Sequence, residues 1–435
     1  MIHQWLDRQF RLRARGTSVQ REAFAGFTTF ATMAYIIIVN PTILAEAGMD
    51  FGAVMVATIL SAITATLVMG LYAGYPFALA PGMGLNAFFA YSLVIKQGVS
   101  WQIALGASFW AGVVFLILNI FGFRDLLIRA LPRSLRIGMT GGIGLFLAFI
   151  GLQNIAVIVP DPTTVVTLGA VNTPEVLYAT FGLVVSTALV ARRVPGAILI
   201  SILLTWIAAL ATGDAEWKGV FSLPPSPLPT LGQLDLWGAL SFNALSIVAA
   251  LTFIAVFDAA GTVTSLAEMG GFYDQQGHLP RAQRVFYADA IGTMAGGFFG
   301  TSPMTTYLES AAGVSAGGRS GLTALVIAFL FFIFLFLYPL AQSIPVFATA
   351  PALLLIGAQM LAPLAQLPMD DPVEMLGVFL VVLLIPLTFS IATGLAIALV
   401  IYPLIKLLAG RAREVHWLLW LLALLCALKL TFIPL

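Results

Sequence analysis

Charge is what this sequence has least of. Asp, Glu, Lys and Arg make up 9% of the 435 residues, while hydrophobic residues make up 60%. A soluble globular domain carries roughly 25% charged residues, so too few are present to build a water-exposed surface, and lipid must be the solvent for most of it. The net charge of +1 leaves no footprint for nucleic acid. Cysteine is represented by Cys426 alone, which excludes a disulfide framework and a cysteine metal site. The three histidines, His3, His278 and His416, lie far apart near the edges of apolar runs, so no metal cluster and no cofactor are expected. A cleavable signal is also missing, because Arg8, Arg11, Arg13 and Arg15 precede the first apolar run. That segment, with Trp5, Phe10 and Leu12, reads as a short amphipathic helix at the cytoplasmic surface, ended by Gly16.

What the chain does contain is a series of apolar runs long enough to cross a hydrocarbon core of roughly 30 Å. Inside lipid the backbone must satisfy its own hydrogen bonds, which leaves helices or closed barrels. The runs are continuous instead of alternating, so they predict helices. The expected spans are Phe24–Ala45, Phe51–Tyr72, Pro81–Ile95, Trp101–Phe121, Ile137–Ile158, Val176–Val190 and Pro195–Ala211. After a polar, proline-rich break at 212–240 come Phe242–Leu266, Val285–Gly300, Pro303–Gly313, Leu322–Leu340, Val346–Leu361, Val373–Pro386 and Ile391–Leu408. A last stretch, Trp417–Leu430, is expected to be an additional helix on or shallowly in the cytoplasmic side.

The positive-inside rule tests this count. With the N-terminus in the cytoplasm, alternating fourteen spans collects the N-terminal arginines and Arg21, then Arg124, Arg129, Arg133 and Arg136, then Arg192 and Arg193 on one side. Arg281, Arg284, Arg319, Lys406, Arg411 and Arg413 join them, leaving out only Lys96, Lys218 and Lys429. Seven is odd, so the second set of seven enters from the opposite face: the fold class is an all-α polytopic membrane protein of two inverted repeats. The third run of each half is short and follows a Gly/Pro-rich approach, 74–81 and 300–303. Such pairs predict half-helices that meet near the bilayer midplane and frame a binding site, with free amides at their starts.

Nearly all acidic residues fall in loops or at helix ends, and two do not: Asp258 and Glu309. A carboxylate near the bilayer centre costs roughly 2.5–3.5 kcal/mol or more, so each demands a partner, a proton or a wet cavity. Asp258, Gly261, Thr262 and Ser265 share one small polar helix face. Glu309 is expected to share a face with Thr305, Thr306, Ala312 and Gly313, and Asn86 holds the comparable place in the first half-helix. Close helix packing is the competing explanation for Thr262 and Ser265. Asp289, after Arg281 and Arg284, reads as an interfacial or paired structural acid. Thr28, Thr29 and Thr32 form a polar patch that can line a cavity. Phe88 and Phe89 either stack on a flat ligand or pack in the core.

Three stretches carry a resemblance: Ala25 to Tyr35 with Val39-Asn40-Pro41, Ala80 to Ala90, and Gly300 to Val314 with Gly317 to Thr323. Together they resemble the AzgA-like purine permeases of the nucleobase transporter superfamily. The resemblance implies spans one to four and eight to eleven as a core domain (24–121 and 242–340). Spans five to seven and twelve to fourteen would form a gate domain (137–211 and 346–408), with 1–23 a cytoplasmic segment and 417–430 an appended helix. It implies a homodimer in the cytoplasmic membrane that takes up adenine, guanine or hypoxanthine with a proton. Carried over by motif, Asp258, Glu309 and Asn86 would contact the base, and the backbone at Phe77 and Leu308 would supply amides. Where the family often has Thr or Ser after the span-eight acid, Ala259 stands here, a departure expected to bear on which purine is preferred.

A purine is a flat apolar plate with N–H donors and acceptor nitrogens, which two carboxylates, an amide side chain and backbone N–H groups can read. Thr262 and Thr28 would complete that surface. Two acids this close do not both ionise readily, so Glu309, or Asp258, is the expected seat of the coupling proton, with Na⁺ as the alternative ion. The rival readings are an anion carrier of the same inverted-repeat class, which the two acids disfavour, and an intramembrane enzyme. For the latter the spans offer no His/Glu metal motif and no Ser/His pair.

Overall fold

The computed structural model describes residues 7, 9–123, 130–367 and 370–432. His3, Trp5, Arg8, Arg124 and Arg129, which entered the N-terminal and charge-bias expectations, lie outside these residues. In the first half, α1 (Val19–Met33) runs on into α2 (Ile36–Glu46), followed by α3 (Phe51–Val68), β1 (Leu79–Pro81), α4 (Met83–Ala87) and α5 (Trp101–Ile120). Then come α6 (Arg133–Asn154), β2 (Ile158–Asp161), β3 (Val165–Leu168), α7 (Pro174–Ala191) and α8 (Ala197–Thr212). The second half holds α9 (Phe242–Gly270), α10 (Ala282–Phe299), β4 (Met304–Thr306), α11 (Ser310–Ser315), α12 (Gly321–Phe334) and α13 (Tyr338–Gln342). It closes with α14 (Val346–Leu361), α15 (Pro372–Leu387), α16 (Ile391–Leu408) and α17 (Trp417–Phe432).

Helical segments therefore occur at each position expected from the apolar runs. Among the described residues, nine helices are long and apolar enough to cross a membrane, and Met83–Lys96, Ala197–Thr212, Pro372–Leu387 and Trp417–Leu428 are shorter apolar helices. Helix starts follow local chemistry: Asp50 accepts from the Ala53 amide at 2.7 Å, and Thr173 caps a helix that opens on Pro174.

The helices sort by packing into two groups. α10 packs on α5 and α3, α9 on α5, α12 on α1 and α3, and α11 on α1. Separately, α14 and α15 pack on α6, α14 and α8 on α7, and α16 on both α15 and α17. Close approach is made by glycine. A Cβ on Gly321 would lie 1.8 Å from the Gly70 carbonyl oxygen, so α12 touches the end of the α3 span backbone to backbone.

Several local expectations are corrected. The run Pro303–Gly313 is not one half-helix: Met304–Thr306 is a strand and only Ser310–Ser315 is helical. Thr305 and Thr306 therefore share no helix face with Glu309. Likewise the first short helix starts at Met83, and Leu79–Pro81 is a strand. These strands pair antiparallel, Leu79 opposite Thr306, Ala80 opposite Thr305 and Pro81 opposite Met304. The run ending at Ile158 stops helically at Asn154, and a hairpin follows whose Asp161 carboxylate accepts from the amides of Thr163 and Thr164. Those amides hold the Asp161 carboxyl below its usual range. Near the N-terminus, Asp7, Gln9 and Phe10 are helical as expected, and a turn, Arg13–Arg15, follows, which Gly16 ends at φ +64°. Phe10 and Leu12 are buried against Leu322, facing protein and not a lipid surface.

Glu22 ties the first helix to the second half. Its carboxylate is fully buried and accepts from the backbone amides of Arg319 (2.9 Å), Ser320 (3.2 Å) and Thr323 (3.3 Å) and from the Thr323 hydroxyl (2.6 Å). A negative group at the start of α12 is favoured by the helix dipole and by charge-assisted bonds. Removing it strands several buried donors at once, each costing about 1–3 kcal/mol. Glu22→Ala is expected to lower the melting temperature of purified protein sharply, and Glu22→Gln to fall between it and wild type. Equal melting of all three would refute this role.

Candidate substrate site at the crossed strands

Two extended strands, each leading into a short helix, meet where β1 pairs with β4. The pairing extends one residue beyond the strands at each end: the Gly82 amide donates to the Pro303 carbonyl at 3.1 Å and the Tyr307 amide to the Ala78 carbonyl at 2.9 Å. The amides that point away from the ladder are satisfied by helix side chains. Leu79 N–H donates to Thr66 Oγ1 at 3.0 Å, and Thr306 N–H donates to Asp289 Oδ1 at 2.7 Å. The opposed residues of the strand pair thus each rest on one polar side chain, Thr66 from α3 and Asp289 from α10. Polar residues behind the pair close the network. Asn40 Nδ2 donates to Thr58 (2.6 Å) and Thr301 (2.8 Å), and Ser302 donates to Asn86 Oδ1.

Asp289 is accordingly neither interfacial nor paired with Arg281 or Arg284. It is fully buried, and the Thr306 hydroxyl also donates to it at 2.9 Å. The helix carries it inward, away from the arginines that precede it in sequence. A sequence signal was available: a third acid inside an apolar run, five residues beyond the last arginine.

Asp258 lies on the middle of α9 and is partly buried. Its carboxylate stands beside Thr305, whose hydroxyl is buried without an aligned hydrogen bond. A Cβ added to Gly82 would sit 2.9 Å from Thr305 Cγ2 and 3.7 Å from Asp258 Oδ2, so only glycine lets the β1 end pass this close. One turn along, Gly261 is exposed and has no atom within 4 Å of where its Cβ would be, and Thr262 and Ser265 are partly buried. This face is open space, unlike Gly112 on α5, where a Cβ would lie 2.6 Å from Met294 Cγ. Close helix packing therefore does not explain the small residues at 261, 262 and 265.

Glu309 lies directly before α11 and is also partly buried. Tyr35 donates to its Oε1 at 2.6 Å, and Thr32 donates to its backbone oxygen at 3.4 Å. Glu309 and Asp258 are within electrostatic range of one another, with Tyr307 in range of both. Tyr307 itself donates to the Pro81 carbonyl at 2.6 Å. Tyr35 and Tyr307 escaped the sequence reading because tyrosine in an apolar run carries no pattern that separates a site from packing.

The other expected residues are dispersed. Asn86 is fully buried and its side-chain oxygen is held by Ser302. Phe77 is buried with its ring stacked on Tyr75 at 5.2 Å, while Leu308 is more than half exposed. Thr28 is buried and donates to the Phe24 carbonyl, and Thr29 and Phe88 are sealed in the interior. The second half-helix does not offer the expected free amides, since Ser310, Ala311 and Ala312 donate to the carbonyls of Tyr307, Leu308 and Glu309. Among the described residues no group of three or more His, Cys, Asp or Glu is arranged to hold a metal.

Relatives agree with this architecture. The chain is 41% identical over 428 residues to the adenine permease AdeP of Escherichia coli, covering 98% of this chain and 96% of that one. It is 40% identical over 429 residues to the guanine/hypoxanthine permease PbuO of Bacillus subtilis, covering 97% and 99%. Among solved structures, the transmembrane domain of the cyanobacterial bicarbonate transporter BicA superposes with a TM-score of 0.67 at 16% identity, covering 86% of this chain and 96% of that chain. That likeness speaks for the inverted-repeat transporter fold alone. A profile described as the permease family matches residues 20–397. The chain belongs to this permease family, that of the nucleobase-ascorbate transporters, which are membrane transport proteins and not enzymes.

Proposed function

We propose that this protein is a proton-coupled symporter that imports purine nucleobases across the cytoplasmic membrane, with its N-terminus inside. The observation that carries the reading is the pair of partly buried carboxylates, Asp258 and Glu309, near the paired strands, with open space at Gly261 one turn from Asp258. The names of the relatives, adenine permease and guanine/hypoxanthine permease, support the substrate class. Two acceptor carboxylates match the ring N–H donors of a purine. The same pair disfavours an anion as cargo, which would meet negative charge in the site.

In this mechanism the helix group of α1–α5 and α9–α13 is the core that carries the base. The group of α6–α8 and α14–α16 is the gate against which it moves, in a homodimer. One of Glu309 and Asp258 holds a proton when the site is empty, because two partly buried acids in each other's field do not both ionise readily. Bound purine takes a place in that network, and the proton crosses with it. Tyr35 holds the Glu309 carboxylate in position through its 2.6 Å bond. Na⁺ in place of H⁺ is distinguished by which gradient drives accumulation.

Uptake of labelled adenine, guanine and hypoxanthine into proteoliposomes, competed by a panel of unlabelled bases, tests the substrate class. Saturable uptake blocked by purines is the expected result. Uptake of none of the three, or uptake blocked equally by bicarbonate, would overturn it.

Asp258→Asn keeps the shape of the side chain but removes its charge and half its acceptor capacity. It is expected to abolish transport, or reduce it at least tenfold, while the protein remains monodisperse and melts normally. Wild-type uptake by a well-expressed variant would remove Asp258 from the site.

Glu309→Gln imitates the protonated acid permanently. It is expected to bind purine within a few-fold of wild type but to lose accumulation driven by a pH gradient. Affinity and gradient-driven uptake are read on the same purified protein. Accumulation with the wild-type pH dependence would place the coupling proton elsewhere, with Asp258 next in line.

A further inference from the structure

On the face of the molecule that carries the N-terminal segment, a cavity of about 140 Å³ opens between Arg11, Arg15, Arg281, Gln9, Phe10 and Leu71. Three helix ends meet there: the segment leading into α1, the end of the span Phe51–Ala73, and the start of α12 at Gly321. The cavity therefore sits where the membrane-crossing part of the protein gives way to the headgroup layer.

Its walls carry three guanidinium groups. Arg15 is fixed by donating to the carbonyls of Gly74 (2.7 Å) and Arg319 (2.8 Å). The point where a Gly74 Cβ would sit lies 3.5 Å from an Arg15 nitrogen and 3.6 Å from an Arg281 nitrogen, so two like charges converge on one spot. Among the described residues Arg11 and Arg281 make no ion pair, and both hold a positive φ, +53° and +58°. The Glu22 carboxylate has its oxygens committed to the amides of Arg319, Ser320 and Thr323. The other charged groups nearby are also engaged. Arg319 donates to the carbonyls of Val314 and Gly318, Arg284 lies over the Tyr72 ring at 5.0 Å, and Asp7 pairs with Arg13. Burial and the charge of Arg281 both hold the Arg15 guanidinium below its usual value. Convergent arginines without an ion pair among the described residues are a fork-shaped donor set suited to phosphate oxygens.

We propose that this cavity is a binding site for a phosphate-bearing anion, in the form of an anionic phospholipid headgroup. The rim argues for the lipid: Leu71 and Tyr72 are about half exposed beside the cavity, where acyl chains would lie. Basic pockets between helix ends recognise such headgroups, with each arginine contributing about fivefold in affinity. The site is separate from Asp258 and Glu309, and the proposal stands or falls apart from the transported substrate.

Native mass spectrometry of the purified full chain, titrated with phosphatidylglycerol or phosphatidylcholine, tests it, with inorganic phosphate as competitor. Wild type is expected to retain phosphatidylglycerol preferentially. Arg11→Gln and Arg281→Gln should each weaken that retention about fivefold, with unchanged melting temperature, whereas Arg192→Gln on a distant loop should not. Competition by millimolar inorganic phosphate supports the shared phosphate chemistry with a free anion as ligand, and its failure supports the lipid. No preference for phosphatidylglycerol together with no effect of phosphate would overturn the proposal. Equal retention by the arginine variants, or equal loss in Arg192→Gln, would also overturn it.

Discussion

A helix broken inside a membrane protein exposes backbone groups that lipid cannot satisfy. An extended segment raises the same problem, and this chain places two of them in its interior so that each answers the other. The segment 78–82 lies antiparallel to 303–307, so the Gly82 and Tyr307 amides find carbonyls across the pair. The amides on the outer side need partners from helices behind them, and Thr66 and Asp289 supply these. Every residue of the two strands is buried, so water is not available as a substitute partner. The position of Glu309, two residues beyond the paired segment, and the approach of Gly82 to Asp258 both follow from this one pairing.

Three acids lie around the crossing, and their surroundings separate them. Asp289 is sealed, and its oxygens are occupied by the amide and hydroxyl of Thr306, so it acts as a structural acceptor in this conformation. Asp258 and Glu309 are partly open: Tyr35 donates to Glu309 Oε1, and Thr305 stands beside Asp258 unaligned. Unused acceptor capacity beside open space is what a ligand with N–H donors can use. A saturated buried carboxylate offers it none.

The helices were legible because run length and charge asymmetry are properties of local sequence. Asp258 was legible for a related reason, since a carboxylate amid apolar neighbours is costly wherever the chain folds. The strands were not. Five residues such as Pro303 to Tyr307 carry too short a pattern to distinguish extended chain from a helical turn, and their pairing partner lies more than two hundred residues away. Glu22 was hidden for the same reason, because its place near an arginine-rich end suggests solvent, while its partners come from Arg319 to Thr323. Asp289 was misjudged from its neighbours in sequence, which a helix leaves behind within two turns.

The departure at Ala259 shows the same limit at the scale of one residue. A hydroxyl lost next to the span-eight acid was expected to bear on which purine is chosen. Adjacent residues on a helix point about 100° apart, so proximity in sequence to Asp258 does not place position 259 on its face. Ala259 is almost wholly buried and packs with Val256, Ala260 and Val263 in an apolar cluster that also contains Phe286. The open face runs instead through Asp258, Gly261, Thr262 and Ser265. A threonine or serine at 259 would put its hydroxyl into that apolar cluster and not onto that open face. Alanine there is a packing choice.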